Sequence, residues 1–420
     1  MTNSETKNFS QNVSSSYHLK DKGNNAPKLR FKGYNDEWKK VKIGEIYKER
    51  SERGNTNAEL LSVTMNDGVK RRIDIEGKDI SSEDKSNYKS VYIGDMVYNS
   101  MRMWQGANGI SNSDGIVSPA YTVMFPRIEL CNNFIGYLFK YEPLIFLFRR
   151  YSQGLTSDTW NLKYPQIKQL SILIPSLPEQ EKIASFLTLI DKKIEKQKEL
   201  VELLKKYKRG LLSQIFSQKL RFKDDNGNDY PEWKEKTLGE VTNNISYGLN
   251  AASKAYDGEN KYIRITDIDE TTGKYNNLDI VSPDCDLSDE YKLKNDDLLF
   301  TRTGASTGKT YLYNKNDGKM YFAGFLIKFS IKEEYCSSFV FYITQTFNYK
   351  KWVSIMSTRS GQPGINAKEY SKYKFLCPVY DEQIKISNIV LKIDNIIEKE
   401  TLLLSFFNNY KKGLLQQMFI

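Results

Sequence analysis

The chain has 420 residues, 39% apolar and 27% charged, an ordinary globular composition long enough for two or more hydrophobic cores. Its formal charge of +10 points to a polyanionic partner, and its longest apolar stretch, around 138–148, is broken by Lys140 and Glu142 and is too short to span a bilayer. Four scattered cysteines (Cys131, Cys285, Cys336 and Cys377) and a single histidine, His18, argue against a disulfide framework, a metal site and histidine-based catalysis.

Residues 1–26 are polar, rich in Asn and Ser, and lack the apolar core of a signal peptide. They read as a disordered arm, and the compartment expected is the cytoplasm. Residues 27–177 mix β-type runs, such as 91–99 and 121–125, with turns and helical segments, and are expected to form a mixed α/β domain. Two of its stretches carry side chains suited to DNA. One holds Arg102, Trp104 and Gln105; the other runs from Gln153-Gly154 to Trp160-Asn161. Arg, Gln and Asn have the forked donors and acceptors that match guanine and adenine edges.

From Pro178 the apolar period becomes 3.5, which predicts a helix over 178–218. With position a at Leu187, the a/d series is Ile183, Leu187, Ile190, Ile194, Gln197, Val201, Leu204, Lys208, Leu211, Ile215. A second domain is expected over 219–377, with β-type runs at 297–302 and 325–330. It opens by repeating the first: Lys28-Leu29-Arg30-Phe31-Lys32 returns as Lys219-Leu220-Arg221-Phe222-Lys223, and Glu37-Trp38-Lys39 as Glu232-Trp233-Lys234.

The loop Arg302-Thr303-Gly304-Ala305-Ser306-Thr307-Gly308-Lys309-Thr310 has three residues between Gly304 and Gly308 where a P-loop needs four, which excludes nucleotide hydrolysis. Arg302, Ser306, Lys309 and the turn's backbone N–H groups remain suited to a DNA phosphate. A further loop offers Arg359, Gln362 and Asn366 to base edges.

The last segment, 378–420, repeats the first helix at an offset of 203 residues: Ile386, Val390, Ile393, Ile397, Glu400, Leu404, Phe407, Lys411, Leu414, Met418. The polar exceptions fall at the same two places in both copies, as expected of residues that fix register. The helices are expected to pair through Leu187, Ile190, Ile194, Val201 and Leu204 on one and Val390, Ile393, Ile397, Leu404 and Phe407 on the other. Apolar residues also occupy most g positions, including Leu200, Tyr207, Ile396 and Tyr410, which leaves surface for a further partner.

Two similar scaffolds with divergent middles, no catalytic or dinucleotide motif, and a basic charge suggest a DNA reader that performs no chemistry and needs no cofactor. The alternative is a coiled-coil scaffold whose two domains bind protein or glycan.

The Trp-x-x-x-x-Leu/Ile-Gly-Glu opening, the variable middle, and Pro-x-x-x-Glu-Gln leading into a heptad helix, all present twice, resemble the specificity subunit of type I restriction-modification enzymes. The resemblance covers nearly all of 27–420. It implies two target recognition domains, each reading half of a split duplex DNA sequence, with the helices paired antiparallel as a spacer. It also implies docking of two methyltransferase subunits, with restriction subunits joining the complex. No individual DNA contact carries over from the family.

Overall fold

The computed structural model describes residues 25–65, 67–79, 81–156, 159–358 and 362–420. Residues 1–24, which hold His18 and all but the last two residues of the expected arm, and Arg359 lie outside them. The chain folds into two compact units. One is formed by the chain up to Gln197 together with Leu403–Ile420, the other by Lys198–Leu402. These units cut across the consecutive segments read from the sequence, because each takes a stretch of both long helices into its core.

The first unit is built on a four-stranded antiparallel sheet in the order Tyr47–Arg50, Tyr121–Pro126, Met96–Asn99, Asn108–Ile110. The second repeats that order with Thr242–Tyr247, Leu326–Ile331, Asp297–Thr301, Thr310–Leu312. In each unit a separate two-stranded ribbon joins the strand after the tryptophan motif to the strand before the long helix. Lys39–Lys42 pairs with Ser171–Ile174, and Lys234–Thr237 with Lys374–Cys377.

The run 91–99 is not one strand. Lys89–Val91 and Met96–Asn99 belong to different sheets, separated at Gly94, whose φ of +90° turns the chain. Buried Asp95 closes this turn by accepting from the Tyr92 amide and holds Arg50 at 2.8 Å. Its counterpart Asp297, also buried, accepts from the Lys294 amide and the Ser330 hydroxyl.

The long helices span Leu177–Phe216 and Tyr380–Met418. In the first unit, Ile183, Ala184 and Leu187 share a core with Leu414, Met418, Phe419, Trp38 and Phe134. In the second, Leu212 and Ile215 share one with Ile386, Val390, Trp233 and Phe339. In both units the start of one helix therefore meets the end of the other, which makes the pair antiparallel. Of the expected seam residues, Leu187, Val201, Val390, Ile393 and Ile397 are buried, and Ile190, Ile194, Leu204, Leu404 and Phe407 are half-buried. The Lys193 ammonium sits 4.6 Å from the Phe407 ring centre.

The repeated motifs at the ends of each half meet in space. Arg30 donates to both carboxylate oxygens of buried Glu179 at 2.7 Å, and Arg221 grips Glu382 at 2.8 and 3.2 Å. The next residue ties the helix start to the domain: Gln180 accepts from the Cys131 amide and Gln383 from the Cys336 amide. Each Gln also donates to the carbonyl of a preceding proline, Pro175 or Pro378. A Glu-Gln pair is thus a clamp that fixes the angle at which each long helix leaves its domain. All four cysteines are free thiols.

Candidate nucleic-acid interface

In the first unit the two candidate stretches are brought side by side. The short turn Met103–Gln105 ends in Gly106 at φ +87°, and Gln153 and Asn161 exchange backbone hydrogen bonds at 2.8 and 2.9 Å. Gly154 is required there. At φ +151° a Cβ would lie 2.6 Å from the Thr159 carbonyl oxygen. The Trp104 and Trp160 rings meet edge to face at 5.2 Å between centroids, and the Trp104 indole donates to the Met101 carbonyl.

Arg149, at the end of the helix Glu142–Tyr151, lies over both rings, 5.9 Å from Trp104 and 5.3 Å from Trp160. A guanidinium so held is pre-organised and keeps its donors available to an incoming acceptor. Around it stand exposed Arg102, bonded to Gln105 at 3.3 Å, exposed Gln153, and exposed Tyr151 and Leu155. Asn161 is half-buried and its side-chain oxygen has no partner. The sequence reading missed Arg149 and Trp160 as contact candidates. The Arg149-Arg150 pair closing an amphipathic helix was the only signal.

The second unit builds an equivalent patch from different residues. Thr303 and Gly364 form an isolated bridge, Gly304 donates to the Pro363 carbonyl, and Ile365 to the Arg302 carbonyl. The two loops are therefore stitched together, with exposed Gln362 beside Gly304. Arg302 stacks on the exposed ring of Tyr247, 5.0 Å from its centre, and Tyr247 accepts from the Ala367 amide. Asn366 caps the helix Ala367–Ser371, accepting from the Glu369 amide at 3.0 Å, so its oxygen is committed locally.

Several amides of the Gly-rich turn are committed internally: Thr307 donates to the Gly304 carbonyl, Gly308 to that of Thr301, and Lys309 to that of Ser306. The Thr301 hydroxyl also bonds the Ser306 carbonyl. Lys309 is set apart from Arg302, with its ammonium 3.5 Å from Glu270. Among the described residues no group of acids, cysteines or histidines is placed to hold a metal, and no helix is long and apolar enough to cross a membrane.

Comparison with known proteins matches residues 35–205 and 230–404 to the family described as "Type I restriction modification DNA specificity domain". The chain is 24% identical over 324 residues to the type I restriction enzyme StySPI specificity subunit of Salmonella potsdam, covering 74% of this chain and 67% of that one. It is 23% identical over 315 residues to the EcoKI specificity subunit of Escherichia coli K12, covering 71% and 67%.

Its fold is similar to that of the type I restriction-modification S subunit from M. genitalium, with a TM-score of 0.56 at 16% identity over 94% of this chain and 99% of that one. A chain from a study of complex assembly and conformational transition of the type I R-M system aligns with a TM-score of 0.57 at 14% identity, over 92% and 98%.

Proposed function

We propose, since this chain belongs to the type I restriction-modification DNA specificity family, that it is a specificity subunit whose two recognition domains each read one half of a bipartite duplex target. The observation that carries this reading is the contrast within the repeat. The clamps, Arg30–Glu179 and Arg221–Glu382, are the same in both units, while the exposed patches differ. Arg149 on two tryptophans occupies one patch and Arg302 on a tyrosine the other. A common scaffold bearing two different readers suits a target with two different halves.

Arg102, Trp104, Gln105, Arg149 and Gln153 are assigned to one half-site, and Arg302, Gln362 and the outward face of Asn366 to the other. Base-edge contacts from such groups supply sequence discrimination, and the surplus of Lys and Arg supplies the phosphate attraction. The subunit itself is non-catalytic, works in the cytoplasm where its DNA resides, and assembles with two methyltransferase subunits and with restriction subunits. Exposed Leu200, Tyr207, Ile396 and Tyr410 on the long helices form the docking surface for the methyltransferase.

Disrupting the gene is expected to abolish adenine methylation at one bipartite motif in the host genome. A methylome in which every motif stays modified would overturn the reading.

A further inference from the structure

A cavity of about 650 Å³ opens in the second unit, between the long helices and the turn that carries Lys309. Its size is that of a small-molecule site. On the first long helix Lys205, Lys208 and Arg209 stand at i, i+3 and i+4 and so share one face. Lys309 and Lys350 add two further cations to the lining.

Three acids also line the cavity, and each is already engaged. Asp269 accepts from the amides of Thr271 and Thr272 and from the Thr272 hydroxyl. Asp394 holds Lys208 at 2.6 Å, and Glu270 faces Lys309. Lys205 is matched outside the cavity by Glu202 at 2.8 Å. Among the described residues neither Arg209 nor Lys350 forms an ion pair; Glu202, held by Lys205, feels Arg209 only at longer range. Burial pushes the Lys208 ammonium below its usual range despite Asp394, and Lys274 and Lys350 add to the depression.

The repeat shows what is missing here. Lys140 in the first unit stands three residues after Tyr137 and nine after Cys131; Gln345 stands three after Tyr342 and nine after Cys336. Lys140 reaches the carbonyls of Gly106 and Met65 at 2.6 and 2.8 Å, so the first unit satisfies this position internally. Gln345 accepts from Lys208 at 2.7 Å, but its buried amide nitrogen has no partner.

The walls are closely packed. Gly273, at φ +65°, packs so closely that a Cβ would lie 2.8 Å from the Phe341 ring, and Gly308, at φ +90°, is pressed against Val353. A preformed, walled cavity with two unmatched cations and an unmatched N–H donor is complementary to an oxyanion.

We propose that this cavity binds a phosphate-bearing small anion, whose oxygens are taken by Arg209, Lys350 and the Gln345 amide. Its volume admits a di- or triphosphate. The phosphate can come from a free small molecule or from the DNA backbone, and the two sources are separable by competition.

Isothermal titration of the full-length chain with tripolyphosphate at low salt tests this. One site of saturable binding is expected, weakened at least about tenfold by Arg209→Gln with Lys350→Gln, the loss expected on removing charge-assisted hydrogen bonds. Gln345→Leu, tested separately, is expected to weaken it as well. The double variant should keep the wild-type melting temperature without phosphate. If duplex DNA of unrelated sequence leaves the binding unchanged, a free phosphate is the ligand. If duplex displaces tripolyphosphate and the double variant loses duplex affinity in parallel, the phosphate is that of DNA. Absence of saturable binding, or equal affinity in the wild type and both variants, overturns the proposal.

Discussion

The Lys208 ammonium and the Asp394 carboxylate meet at 2.6 Å across the helix pair, and the same contact recurs at 2.6 Å between Lys411 and Asp191 with the helices exchanged. Asp191 also accepts from the Tyr137 hydroxyl of its own globular domain at 2.7 Å, and in the second unit the Lys208 ammonium lies 5.5 Å from the Tyr342 ring centre. A lysine at an otherwise apolar seam position is costly to bury unless it is matched. Matched in this way, it admits only the register that brings the two partners together. The heptad interruption is therefore an alignment device that also locks helix to domain.

Replacing Lys208 with Met should leave Asp394 short of its cation and destabilise the second unit by about 2–4 kcal/mol, since removing one member of a largely buried pair strands the other. The reversed pair Lys208→Asp with Asp394→Lys should recover part of that loss. Thermal melting of the wild type, Lys208→Asp, Asp394→Lys and the double variant closes a double-mutant cycle that measures the coupling. Additive effects would show that the pair does not set the register.

Arg149 predicts a half-specific defect. Arg149→Ala should weaken binding of the cognate duplex by about 1–3 kcal/mol and relax discrimination in one half of the bipartite target, leaving the other half as strictly read. Arg302→Ala should do the reverse. Affinities for duplexes substituted base by base in each half decide this. Equal relaxation of both halves would show that these arginines act through general charge.

Lys140 gives the first unit a pH dependence. Burial, with Lys411 nearby, pushes its ammonium down from 10.5 to about 8. Between these values the unfolded chain holds more protons than the folded one, so stability should rise with pH from about 8 to about 10.5. The gain is at most about 3 kcal/mol, because the Gly106 and Met65 carbonyls favour the charged form. Lys140→Met should flatten that rise. Urea unfolding of both proteins at pH 7.5 and 9.5 provides the comparison, and parallel slopes would place the titration elsewhere.

The repeat, the long helices and their polar interruptions were legible because 3.5-residue periodicity and exact offsets survive in one dimension. The partner of Lys208 was not. Asp394 flanks the seam at an e position, and periodicity alone does not align two antiparallel helices. The Arg30 and Glu179 motifs were each visible, but 149 residues separate the two ends of that ion pair. At the candidate loops, residue type drew attention to Arg102, which is exposed, and to Arg302, which is half-buried against Tyr247. Only the fold could show that Trp104 and Trp160 converge on Arg149, or that Lys309 lines a cavity and several of the turn's amides are internally bonded.

The apolar g positions lead to the last prediction. Tyr207 is 59% exposed and Tyr410 46%, at the same heptad place in the two helices, and Leu200 and Ile396 are exposed beside the same seam. Two-stranded pairing does not require these side chains to be apolar, and water does not favour them; Tyr207 and Tyr410, related by the 203-residue offset, are therefore the candidate face for a protein partner. With one such tyrosine on each helix, the proposed docking of two methyltransferase subunits would use one face apiece. Tyr207→Glu alone should reduce the methyltransferase recovered with the tagged chain to about one copy, and Tyr207→Glu with Tyr410→Glu should abolish recovery, since a charge desolvated at an interface without a partner costs several kcal/mol. Both variants should still melt as the wild type does. Mass measurement of the purified complexes distinguishes two, one and no bound subunits. Full occupancy in the double variant would place the docking surface elsewhere on the chain.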